Sequence, residues 1–234
     1  MQSVLPVLAI LGGILMVFSV TMLVPLAFAF IGGDAALYAY DGAILLTLGC
    51  GLALFFSCRR FKRELQPRDG FLLVSLVWSV LPAFGALPLL LHIPGLSFTD
   101  AYFEAVSGLT TTGSTVLTGL EKLPLSINVW RCFMVLLGGM GILVLAVAIL
   151  PLLGVGGSQL FKAETPGPMK DTKLTPRIAE TARGLWVVYF AIAITCFFAY
   201  RAAGMGYADA FMHMCSTMGL GGFSSYAPSF GQFT

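Results

Sequence analysis

Charged side chains are scarce in this sequence. Asp, Glu, Lys and Arg together make 10% of its 234 residues, against about 25% in soluble domains. Hydrophobic residues make 58%, and the mean hydropathy is +0.91. This excludes a water-soluble domain and identifies an integral membrane protein. The net charge of +2 is too small, and the basic residues too bunched beside apolar runs, for nucleic-acid binding. Five cysteines, Cys50, Cys58, Cys132, Cys196 and Cys215, stand singly in or beside apolar runs without a CxxC. They read as packing residues rather than metal ligands. Nucleotide-binding signatures of the GxGxxG or P-loop type are missing, as are HExxH, GxSxG and a pair of membrane aspartates. His92 and His213 have no evident partner for metal or nucleophile chemistry. An enzyme is therefore not expected, nor a cofactor in this chain. The N-terminus has no basic region before its apolar run, which extends from Val4 to Ile31 and so reads as a membrane span rather than a signal peptide.

What the sequence has in quantity is long apolar segments. A membrane helix takes about 20 apolar residues, and five stretches qualify: 4–31, 41–58, 70–92, 127–153 and 184–204. The segments 59–69 and 154–183 hold ten of the thirteen Lys and Arg residues. The positive-inside rule places both in the cytoplasm. Alternation then puts the N-terminus inside and residues 32–40, 93–126 and 205–234 outside.

Two of those outer segments are unusual. Each opens on a helix start, Ser97-Phe98-Thr99-Asp100 and Gly206-Tyr207-Ala208-Asp209, continues as an apolar stretch too short to cross a bilayer, and ends in Gly, Ser and Thr. Irregular backbone at membrane depth is tolerated where protein buries it or water lines it, so both read as re-entrant loops. Sliding the sequence by 109 positions aligns Asp100-Ala101-Tyr102-Phe103 with Asp209-Ala210-Phe211-Met212, Ser107 with Ser216, and Gly113 with Gly222. The repeating unit is helix, re-entrant loop, helix. Four parts follow: 1–69, two leading membrane helices and a basic cytoplasmic loop; 70–153, the first repeat; 154–183, a cytoplasmic linker; 184–234, a second repeat expected to stop after its loop.

The first loop reads Thr110-Thr111-Thr112-Gly113-Ser114-Thr115. A pore that passes a bare cation must replace its water shell with oxygens, and backbone carbonyls aided by threonine hydroxyls do this in potassium filters. Glycine permits the backbone turns that bring successive carbonyls to one axis. The short helix over 100–109 directs its carbonyl end, with its partial negative charge, toward the pore. Glu104 and His213 hold equivalent places in the two short helices; each reads as a hydrogen-bonded structural group or as an attractor of cations. Gly138-Gly139-Met140-Gly141 favours close helix packing over a gating hinge. Asp34, Asp41, Asp100, Glu121 and Asp209 lie outside, where ordinary solvation outweighs cation enrichment.

The stretches FEAVSGLTTTGSTV (103–116), LLGGMGILVLAVAILPLLGVGGSQLFKAE (136–164), PGPMKDTKLTPRIAETA (166–182) and MCSTMGLGGFSSY (214–226) resemble, in this order, the Trk/Ktr/HKT superfamily of potassium transporters, most closely its bacterial TrkH branch. The resemblance covers essentially the whole chain. It implies an all-α polytopic membrane protein in which potassium-channel-like helix/pore-loop/helix repeats, four in a typical member, surround one pore with a filter glycine each. It assigns Thr111, Thr112, Gly113 and Ser114 to the first filter and Leu220, Gly221, Gly222 and Phe223 to the second, with potassium held at Thr111, Thr112, Leu220 and Gly221. One glycine per filter implies a loose filter that passes potassium, rubidium and some sodium.

The resemblance further implies potassium uptake, passive or by symport, across the bacterial cytoplasmic (inner) membrane. It implies a homodimer of full-length chains in the lipid bilayer and a TrkA-type cytoplasmic nucleotide-binding regulatory subunit against residues 158–183. The sequence stops at Thr234, about halfway through a typical member. Two readings stay open: half of a conducting pore, or a non-conducting or truncated regulatory or assembly subunit of a potassium transport complex.

Overall fold

The computed structural model describes residues 4–61, 67–149 and 174–233. Among them are nine α-helices: α1 (Leu5–Thr21), α2 (Leu23–Gly32), α3 (Leu37–Cys58), α4 (Pro67–Gly85), α5 (Leu87–His92), α6 (Phe98–Leu109), α7 (Leu125–Ile149), α8 (Leu174–Ala202) and α9 (Tyr207–Met218). Among the described residues five stretches are long and apolar enough to cross a membrane: Leu5–Gly32, Leu37–Cys58, Arg68–His92, Leu125–Leu143 and Thr181–Ala202. The protein is thus an all-α, multi-pass membrane protein.

Two of the expected spans are broken helices. The first is interrupted at Met22, three residues before Pro25, whose ring can neither donate to the Thr21 carbonyl nor sit beside it. The third is interrupted at Ala86, just before Pro88, for the same reason. The outer loop expected over 32–40 is shorter. Gly33 ends α2 in the left-handed conformation with φ 61°, and the Asp34 carboxylate accepts from the Ala36 amide at 3.0 Å, so α3 begins at Leu37 rather than at residue 41. At the other end of the chain α8 begins at Leu174, which makes residues 174–183 of the expected linker helical. Its remaining part, 154–173, and most of the segment expected to meet a regulatory subunit lie outside the described residues.

α1 packs against α3 where two glycines face each other: a Cβ on Gly12 would fall 2.8 Å from the Gly51 carbonyl oxygen. α7 is the central element, touching α2, α6, α8 and α9, and its residues Ile127, Val129, Trp130, Cys132, Met134 and Val135 are buried. Trp130 fixes it to the α4–α5 break by donating from Nε1 to the Gly85 carbonyl at 2.8 Å. The 12-residue helices α6 and α9 span about 18 Å, too little for a hydrocarbon core of about 30 Å. α6 lies against α4 and α7, and α9 against α7 and α8. Each is followed by an irregular segment, 110–119 after α6 and 219–228 after α9.

Candidate ion pathway

The two short helices stop in matching ways but start differently, α9 beginning after Gly206 without a side-chain cap. Ser97 caps α6 by accepting from the Asp100 amide at 3.1 Å while donating to its carboxylate at 2.7 Å, a reciprocal cap. Asp100 is therefore a helix-start residue. At the far end the amides of Thr110, Thr111 and Thr112 donate to Val106, Gly108 and Ser107 at 2.8, 3.0 and 2.8 Å. In α9 the amides of Gly219, Leu220 and Gly221 donate to Cys215, Thr217 and Ser216 at 3.2, 3.1 and 3.1 Å. These are the same bonds shifted by 109 positions.

The dihedrals repeat as well. Thr111 and Leu220 have φ of 56° and 57°, and Gly113 and Gly222 have φ of 75° and 78°. A β-branched threonine and a leucine rarely adopt positive φ. Such outliers, retained at equivalent places, mark segments whose backbone path matters more than its local cost.

The two loops touch at their glycines. A Cβ on Gly113 would lie 1.4 Å from the Gly221 carbonyl oxygen, and one on Gly221 would lie 3.4 Å from that of Thr111. The loop hydroxyls are largely engaged within the protein: Thr110 donates to the Val106 carbonyl at 2.7 Å, Thr110 and Thr112 share a bond of 2.8 Å, and Thr115 donates to Glu104 at 2.9 Å. Leu220 is 90% exposed, whereas Phe223, the counterpart of Ser114, turns a buried ring inward.

Glu104 and Arg131 form an ion pair at 2.7 Å with both side chains fully buried. Glu104 also accepts from the Val116 amide at 3.1 Å. Of the two roles open to it, the structural one matches these bonds. Arg131 uses all three guanidinium nitrogens: Nε donates to Glu104 at 2.7 Å, Nη1 to Asn128 Oδ1 at 3.1 Å and the Ser224 carbonyl at 3.2 Å, and Nη2 to Thr115 Oγ1 at 3.1 Å. Its guanidinium carbon lies 4.6 Å from the centre of the Phe223 ring. His213, equivalent to Glu104, is held by the Asp209 carbonyl at 2.8 Å and by Ser224 Oγ at 3.3 Å. Arg131 escaped the reading of the sequence, although a lone cation inside an apolar span was the available signal.

α7 comes this close because of its glycines. A Cβ on Gly138 would meet the Leu109 carbonyl oxygen at 2.0 Å, and one on Gly139 the Tyr189 hydroxyl at 2.7 Å, which is the packing reading of that motif. Two outer acids have specific partners: Asp34 accepts from the Ser126 amide at 3.0 Å, and Glu121 accepts from the Ala227 amide at 2.6 Å. Among the described residues no group of His, Cys, Asp and Glu is arranged to hold a metal.

Comparison with known proteins gives a consistent assignment. Residues 40–234 match the family model TrkH, described as a cation transport protein. The chain is 50% identical over 233 residues to the Trk system potassium uptake protein TrkH of Halomonas elongata, covering 99% of this chain and 48% of that one. It is 48% identical to the protein of the same name from Escherichia coli, over 96% of this chain and 47% of that one. The crystal structure of the potassium transporter TrkH from Vibrio parahaemolyticus superposes with a TM-score of 0.82 at 45% identity, over 96% of this chain and 44% of that one. The chain thus spans about half the length of these relatives.

Proposed function

The chain belongs to the TrkH family of cation transport proteins, and from that premise we propose that it forms part of a channel-like pore for potassium uptake across the bacterial cytoplasmic membrane. The observation that carries this reading is the correspondence of the two loops, with positive φ at Thr111 and Leu220 and again at Gly113 and Gly222, on amides tied back to matching carbonyls. Backbone oxygens of Thr111, Thr112, Leu220 and Gly221 face the ion in this account, and Gly113-Ser114 and Gly222-Phe223 complete the two filter segments. Potassium and rubidium pass, and sodium passes less well, because a carbonyl ring offers a large, weakly hydrated cation the better exchange for its water shell.

The organisation that accompanies this function has two leading helices in 1–69, one repeat in 70–153, a cytoplasmic linker in 154–183 and the second repeat in 184–234. The N-terminus is cytoplasmic. A homodimer and a TrkA-type nucleotide-binding subunit on the cytoplasmic face belong to the same proposal.

Its test is growth. A bacterium stripped of its own potassium uptake systems and given the native gene should grow on limiting potassium and accumulate rubidium. Absence of rubidium uptake, together with co-purification of the chain with a larger homologue, would replace this reading with that of an assembly subunit.

A further inference from the structure

Resting on the filter reading above, we propose that Arg131 is the positioning residue that locks the two filter loops to each other and thereby sets the ion preference of the pore. One guanidinium reaches both loops. It holds the first through Glu104 and Thr115 and the second through the Ser224 carbonyl and the Phe223 ring. It projects from α7, which also packs on the helices that begin both loops. The spacing between the filters is thus referred to one buried group on the central helix.

The charge balance fits this role. An unpaired cation beside a cation pathway would repel the ion, but Glu104 at 2.7 Å neutralises it. The pair is fully buried, and burying an ion pair is a poor way to gain stability. What it supplies is geometry, because a planar guanidinium fixes several partners in one plane and a lysine ammonium cannot. The second loop reinforces the arrangement from its own side. Ser224, whose carbonyl Arg131 holds, has its hydroxyl 3.3 Å from His213 Nε2 and accepts from the Tyr226 amide at 3.1 Å. A shift of Arg131 therefore moves Ser224 at its carbonyl and disturbs the loop just past Gly222.

Conservative changes separate this role from folding. In proteoliposomes, the native protein and Gly113→Ser are measured first for potassium, rubidium and sodium flux. No potassium flux in the native protein would overturn the filter reading itself. With that flux present, Arg131→Lys retains the charge opposite Glu104 but loses the simultaneous hold on Thr115 and Ser224. It should raise the sodium-to-potassium flux ratio about tenfold at an unchanged amount of folded protein. The double variant Glu104→Gln with Arg131→Gln removes both charges together and should show the same loss of selectivity. A native flux ratio in either folded variant overturns the proposal. So does failure of both to accumulate in the membrane, since Arg131 would then serve folding alone.

Discussion

The hydroxyl of Ser224 repeats, in the second loop, the position of the Thr115 hydroxyl in the first. Thr115 Oγ1 accepts from the Leu117 amide at 3.1 Å, and Ser224 Oγ accepts from the Tyr226 amide at 3.1 Å. Each also meets the side chain at one fixed place in its short helix, Glu104 for Thr115 at 2.9 Å and His213 for Ser224 at 3.3 Å. The repeat is therefore conserved in bonding pattern where residue types differ. Glu104 pairs with the Arg131 guanidinium, whereas His213 meets the Asp209 carbonyl and the Ser224 hydroxyl.

That asymmetry predicts unequal costs. Glu104→Ala leaves Arg131 charged and buried and should destabilise the protein by about 3–5 kcal/mol. His213→Ala removes the hydrogen bonds to the Asp209 carbonyl and the Ser224 hydroxyl and should cost about 1–3 kcal/mol. Thermal unfolding in detergent decides, and equal shifts for the two variants would contradict the ranking.

The two loop glycines differ in a second way. At Gly113 a methyl group meets both a positive φ and the Gly221 oxygen 1.4 Å away, whereas at Gly222 only the positive φ of 78° opposes it. Gly113→Ala should abolish selective flux. Gly222→Ala should cost about 1–2 kcal/mol in backbone strain and keep measurable potassium flux.

Close packing on α7 predicts a graded series. Gly138→Ala, with its methyl 2.0 Å from the Leu109 oxygen, forces α6 away and should sharply reduce folded yield. Gly141→Ala, whose nearest neighbour is the Trp78 ring at 3.7 Å, should leave yield within a factor of about two. Size-exclusion chromatography of the two variants is sufficient to test this.

The Glu121 carboxylate, accepting from the Ala227 amide, is held below the ordinary glutamate pKa of 4.5 chiefly by that bond. A carboxylate with a depressed folded pKa contributes while ionised and loses its contribution as pH falls through the folded value. Protection of the Ala227 amide from hydrogen exchange should therefore persist above the ordinary glutamate range and fall below it. Glu121→Ala should remove the protection already at neutral pH.

Much of this architecture is legible in the sequence because lipid imposes long apolar runs, and those runs locate the starts of the five spans to within four residues. The two short helices are legible through their starts, Ser97 and Gly206, and through the 109-residue repeat. Other features are not. Nothing local marks Leu220 for positive φ; it takes that conformation because its loop follows the path of Thr111. Pro25 and Pro88 are visible in the sequence, but whether each kinks or ends its helix depends on packing. Arg131 is visible as a charge in a span, but its partners lie 27 residues before it and 93 residues after it, beyond any local pattern.

Whether the loops at Gly113 and Gly222 form a cation filter is decided by the potassium-to-sodium flux ratio of the native protein against Gly113→Ser and Gly222→Ser in proteoliposomes. Each substitution should shift the ratio toward sodium in folded protein. A native ratio in both variants, with potassium flux intact, would contradict it.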